Sequence, residues 1–133
     1  MAKVTVHVET EVNPTEDPDK VKAAVNNVVC NASVTITAQH EGSLLTAEAQ
    51  GQDSLVKLRN LLRQDRIRDA ARKQLFKSIR DGKISFFLNK QVAFAGHISF
   101  CDQTAESPLG PIRFTVETED PRLLVEWLAE KSA

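Results

Sequence analysis

Residues 54–83 read SLVKLRNLLRQDRIRDAARKQLFKSIRDGK, and the phase of the apolar positions in this stretch decides how the chain folds. At about 100° per residue counted from Leu58, Leu55, Leu58 and Leu62 fall between roughly 0° and 60°, whereas Ile67, Ala71, Leu75 and Ile79 fall between roughly 180° and 300°. A straight helix of about 27 residues would be ~40 Å long and would turn these two groups away from each other. The phase jump therefore predicts a bend or break within residues 63–67, with Asp65 as a second cap and Asp53 or Ser54 as the first. Phe76, near 0°, fits neither apolar face.

The same stretch dominates the charge. It holds ten of the 17 Lys and Arg residues against Asp65, Asp69 and Asp81, a local charge of +7. The rest of the chain carries seven basic and 15 acidic residues, so the formal net charge of −1 conceals a strongly dipolar protein. Solvated helical faces normally intersperse signs, and the scarcity of acids here points to an anionic partner, with RNA first. Arg outnumbers Lys in the stretch, and its planar fork suits two-point contact with phosphate. With no Tyr in the chain and Phe87 the lone outward-facing strand aromatic, backbone and shape recognition is expected over base reading. The candidate contacts are Arg59, Arg63, Arg66, Arg72, Lys73, Lys77 and Arg80, with Lys90 extending the surface from a turn.

Outward from this stretch, Val4, Val6, Val8 and Val12 alternate with polar residues and predict a strand. Asp17 and Pro18 open a helix whose stripe is Val21, Ala24, Val25, Val28 and Val29. Val34 to Ala38 and Leu45 to Gln50 read as a hairpin around Glu41-Gly42-Ser43. After Gly82, Ile84, Phe86 and Leu88 alternate, and Val92, Phe94, Gly96, Ile98 and Phe100 continue the parity. Two long antiparallel strands joined by a turn at Asn89-Lys90-Gln91 are expected, with Asn89 left-handed. Ser107 to Pro111 is a loop, Ile112, Phe114 and Val116 form a last strand, and Asp120-Pro121 opens a closing helix with Leu123, Leu124, Trp127 and Leu128 inward. The expected fold is α+β, a largely antiparallel sheet with helices packed on it in the order βαββααβββα, as one domain over residues 1–133.

Several phrases met in this order are similar to a known family: VETEVNPTEDPDKV (residues 8–21), IRDAAR (67–72), LNKQVAFAGHISF (88–100), SPLGPI (107–112) and DPRLLVEWLA (120–129). Together they resemble the archaeal uncharacterised protein family zero-two-zero-one. The resemblance implies a fold like that of the ribosomal protein that binds 5S RNA, and an association with RNA by analogy of fold. Glu130 stands where that family usually closes with proline.

Catalysis has little support. His7, His40 and His97 are dispersed without metal-ligand spacing, and the glycine motifs of dinucleotide, triphosphate and hydrolase sites are missing. No catalytic residue, metal ligand or cofactor is assigned. Cys30 and Cys101 lack CxxC spacing, which favours buried thiols and a reducing cytoplasm. The start alternates instead of forming a signal, and no apolar run reaches the ~20 residues of a membrane span. Beside RNA binding stand a protein-interaction or scaffolding module, in which acidic body and basic arm drive homodimerisation or docking to an acidic partner, and, weakest, an enzyme of unknown reaction.

Overall fold

The computed structural model describes residues 3–101 and 110–130. In chain order the elements are β1 (Val4–Val12), α1 (Pro18–Asn26), β2 (Ser33–Ala38), β3 (Ser43–Gln50), a 3-10 turn (Gln52–Leu55), α2 (Val56–Gln64), α3 (Arg68–Ser78), β4 (Lys83–Asn89), α4 (Lys90–Phe94), β5 (Phe100–Cys101), β6 (Pro111–Thr118) and α5 (Pro121–Leu128). The strands form one sheet in the order β2-β3-β1-β6-β4-β5, antiparallel at every pairing.

The period-2 pattern puts one parity of each central strand into the core: Val4, Val6 and Val8 of β1, Leu45 and Ala47 of β3, Ile84, Phe86 and Leu88 of β4, and Ile112, Phe114 and Val116 of β6 are all buried. Phe86 stacks on Phe114 with ring centroids 5.0 Å apart and meets Phe100 edge-on at 5.8 Å. Helical faces close over this surface. Val21, Ala24 and Val25 come from α1, Leu58 and Leu62 from α2, Ala71 and Leu75 from α3, and Leu124, Val125 and Leu128 from α5. The opposite parity is polar, with Thr5, His7, Glu9 and Glu11 on β1, Thr46 and Glu48 on β3, and Arg113 and Thr115 on β6.

The expected break is present and its geometry is specific. α2 ends in a Schellman motif: Arg66 adopts φ 57°, its N–H donates to the Arg63 carbonyl at 3.2 Å, and the Ile67 N–H reaches back to the Leu62 carbonyl at 3.2 Å. Leu62 is buried and Ile67 packs against the core, so the two positions that flank this motif are both apolar and inward. This left-handed residue rotates the helix phase, so Ala71 and Leu75 reach the same core as Leu58 and Leu62. Asp65 is the C-cap residue of α2 through its backbone and does not cap α3, which starts at Arg68 with Ile67 as an N-cap that makes no side-chain cap bond. The Asp65 carboxylate instead accepts from the Ile98 N–H at 2.8 Å and bonds His97 Nδ1 at 3.0 Å. Asp53 and Ser54 do not cap α2 either, because the 3-10 turn precedes it and Ser54 Oγ donates to the Gly51 carbonyl.

A second correction concerns residues 89–100. The long strand expected from Val92 to Phe100 is replaced by the five-residue α4, a connection, and the two-residue β5, so the order contains an additional helix between β4 and β5. Asn89 is not left-handed. It is an N-cap with φ −69° whose side chain accepts from the Val92 N–H at 3.0 Å. The far end of α4 is held from another element, since Asn27 Nδ2 donates to the Ala93 and Phe94 carbonyls. Phe94 is consequently 48% exposed while Ala93 is buried. In α5, Leu123 points outward and Val125 takes the inward position. Cys30 and Cys101 are half-buried. Half of the SPLGPI phrase, residues 107–109, lies outside the described residues; its Gly110 has φ 80° and its Pro111 opens β6.

Candidate nucleic-acid interface

The basic stretch resolves into two populations. Arg63, Arg66, Lys73, Lys77 and Arg80 are exposed. Among the described residues no carboxylate lies within ion-pair distance of any of these five. They sit at the end of α2, on the left-handed link, along the outer face of α3 and just beyond it, where the phase of Ala71 and Leu75 turns the opposite side of the helix to water.

Arg59 and Arg72 belong to the second population, and both serve the packing of α5. Arg59 donates through Nε to the Trp127 carbonyl at 3.0 Å and through Nη2 to Glu130 at 2.6 Å, with its guanidinium 5.3 Å from the Trp127 ring. That hydrogen bond, reinforced by the guanidinium charge, holds the Glu130 carboxyl below the ordinary carboxylate range. Arg72 makes a two-pronged pair with Glu126 at 2.7 and 2.8 Å. It also lies 4.9 Å from the Phe76 ring, whose centroid is equally 4.9 Å from the Arg122 guanidinium. Phe76 thus has its place between two cations, one from each helix. The phase that fitted neither face was a sign that another charged element packs beside α3, although its identity lay 46 positions away in sequence.

Lys90 is not on this surface. Its side chain is buried, 3% exposed as a residue, and its ammonium donates to the Glu11 carbonyl at 2.6 Å and to Glu16 Oε1 at 3.0 Å. Asn13 also donates to Glu16 Oε1, through the backbone at 3.0 Å and the side chain at 2.7 Å. Burial alone would push Glu16 up, but these hydrogen bonds and the Lys90 charge outweigh it and hold the carboxyl below its ordinary value. Lys90 is a structural tie between α4 and the turn after β1.

The uncovered sheet face offers a different chemistry. An open cavity of about 370 Å³ is lined by His7, Glu9, Thr35, Glu48, Arg113 and Thr115 among others. Register sets His7 opposite Glu48 and Glu9 opposite Arg113. Its carboxylates, Glu9 and Glu48, repel phosphate, and the lining offers no phenyl or indole ring for a base to stack on, only the His7 imidazole. Among the described residues no group of three or more His, Cys, Asp and Glu side chains is arranged to hold a metal ion, and no helix is long and apolar enough to cross a membrane.

An α+β sheet layered on one side by helices that carry a basic outer surface is a frame suited to nucleic acid, and a family model described as RNA binding matches residues 5–118. The chain belongs to UPF0201, the archaeal family anticipated from its phrases. It is 48% identical over 128 residues to a UPF0201 protein of Sulfolobus acidocaldarius, covering 96% of this chain and 88% of that one. The UPF0201 protein of Sulfurisphaera tokodaii is 44% identical, with 95% and 87% covered. The crystal structure of a UPF0201 protein from Methanococcus jannaschii superposes with a TM-score of 0.85 at 31% identity, covering 94% of this chain and 98% of that one.

Proposed function

We propose that this protein binds RNA through the exposed basic side chains of α2, α3 and the link between them, contacting the phosphate backbone and reading shape more than sequence. The observation that carries the reading is that Arg63, Arg66, Lys73, Lys77 and Arg80 are exposed and, among the described residues, make no carboxylate ion pair. Charges left without carboxylate partners keep condensed-counterion release available as a driving force, whereas Arg59 and Arg72 would have to leave their partners first. The match to an RNA-binding family model supports the same partner class.

Fluorescence anisotropy with labelled single-stranded RNA over a range of salt tests it. About four phosphate contacts give a slope of log affinity against log salt near −3, at ~0.7 per contact. Lys73→Gln with Lys77→Gln should flatten that slope by roughly 1.4 and weaken unrelated RNA sequences alike, with the fold intact. No binding at ~50 mM salt, or a slope unmoved by the double substitution, would return these helices to the role of a solvated or protein-docking surface.

A further inference from the structure

The two edges of the sheet are built differently. β5, at one edge, is two residues long, a brevity that leaves little backbone to pair. β2, at the other, runs for six residues and, among the described residues, pairs only with β3. Edge strands are usually guarded by charge, proline or a bulge. β2 has none of these. Its sequence is SVTITA, and its register continues without interruption from Ser33 opposite Glu48 to Ala38 opposite Ser43. Four of its six residues are β-branched, the type that fits a paired strand.

The two faces of β2 follow from that register. Val34 and Ile36 lie opposite Ala47 and Leu45, which point into the core, so both are on the helix-covered side. Val34 is packed against the core, but Ile36 is left 42% exposed. Ser33, Thr35 and Thr37 are on the polar side and exposed.

We propose that β2 pairs antiparallel with β2 of a second copy of this chain, about a two-fold axis through Thr35 perpendicular to the sheet, joining two six-stranded sheets into one. Directly opposed residues of an antiparallel pair share a face, so the axis must pass through a residue and not between two. With the axis at Thr35, Thr35 meets Thr35, Ser33 meets Thr37, and each Ile36 meets Val34 of the second copy on the helix-covered side. The exposed apolar area of Ile36 is thereby covered by an apolar, β-branched partner twice over. The opposed segments contain no charged residue, and at their margin Gln39 lies opposite Asn31, so no like charges meet. A second copy fits this edge because the strand is complementary to itself in shape and polarity. The contact involves none of the basic residues assigned to RNA and stands independently of that assignment.

Sedimentation equilibrium without RNA should show the mass rising from one chain to two between ~1 and ~100 µM, consistent with a short pairing segment. Because no ion pair is involved, raising salt from ~0.1 to ~1 M should leave the association in place, unlike docking of a basic arm on an acidic body. Thr35→Lys is placed on an exposed position and should keep the wild-type circular dichroism and melting curve while weakening the dimer tenfold or more, because two ammonium groups meet at the axis. Thr35→Cys reads the register directly. Opposed Cα atoms about 4.5–5.5 Å apart are within disulfide reach, so mild oxidation should give a covalent dimer beyond the background from Cys30 and Cys101 in the wild type. A monomer at ~100 µM, a dimer dissolved by salt, a dimer that survives Thr35→Lys, or Thr35→Cys that fails to cross-link would each overturn the pairing.

Discussion

Replacing Lys90 by Met keeps most of the buried stem and removes the ammonium, so it isolates what the charge does. The ammonium ties the Glu11 carbonyl and the Glu16 carboxylate, the latter with a side chain 10% exposed. Removing one partner of a buried pair costs ~3–5 kcal/mol, because the other charge is left buried and uncompensated. Glu16 would retain both hydrogen bonds from Asn13, which argues for the lower end, about 3 kcal/mol. In urea unfolding with a slope near 2 kcal/mol per molar, that is a fall of about 1.5 M in midpoint. The deficit also has a pH signature. In the wild type the Glu16 carboxyl is held below 4.5, so its stabilising contribution is complete above that value and disappears as pH falls through the folded-state value. Once Glu16 is neutral there is no buried charge to leave unpaired, and the gap between Lys90→Met and wild type should narrow from pH 7 toward pH ~3.5. Glu16→Gln in the Lys90→Met background should recover part of the loss at pH 7, and RNA affinity measured where both proteins are folded should be unchanged. A cost within ~0.5 kcal/mol of wild type, as at an ordinary surface lysine, or a gap that does not move with pH, would refute the buried-pair argument.

Two further expectations address the break between α2 and α3. Arg66 is held at φ 57°, a conformation glycine adopts at no steric cost, so Arg66→Gly should raise stability by about 1 kcal/mol in chemical denaturation while weakening RNA binding. A variant less stable than wild type would mean that the Arg66 side chain supports the fold by contacts beyond its backbone geometry. For Asp65, burial would raise the carboxyl, yet the bonds from His97 and the Ile98 N–H prevail and hold it below 3.8. Its contribution is therefore present above that value and lost as pH falls through the depressed one. Asp65→Asn should cost about 1–2 kcal/mol at pH 6, and less near pH 3, with loss of protection of the Ile98 amide in hydrogen exchange; an Ile98 amide equally protected in both proteins would show that the loop is held by something else.

Most of the fold was legible because its signals are local. The β1 alternation, the Asp17-Pro18 and Asp120-Pro121 helix starts and the phase jump at residues 63–67 are backbone preferences that neighbouring residues impose on one another. The basic character of α2 and α3 was legible for the same reason, as charge is a sum over composition. Residues 89–100 were not. Their apolar alternation is that of a strand, and α4 exists because Asn89 caps one end and Asn27, some 60 positions earlier, holds the other. The fate of each cation likewise depended on residues far away in the chain. Lys90 and Lys73 are both lysines whose sequence positions place them at the surface, one in a turn and one on a helix, yet one is buried against Glu16, 74 positions distant, and the other faces water. Sequence alone determined how much positive charge the helices carry and where the backbone must turn. Only the tertiary structure decided which of those charges are spent on α5 and the β1 turn and which remain for a partner, because ion pairing depends on proximity in space, which local periodicity does not encode.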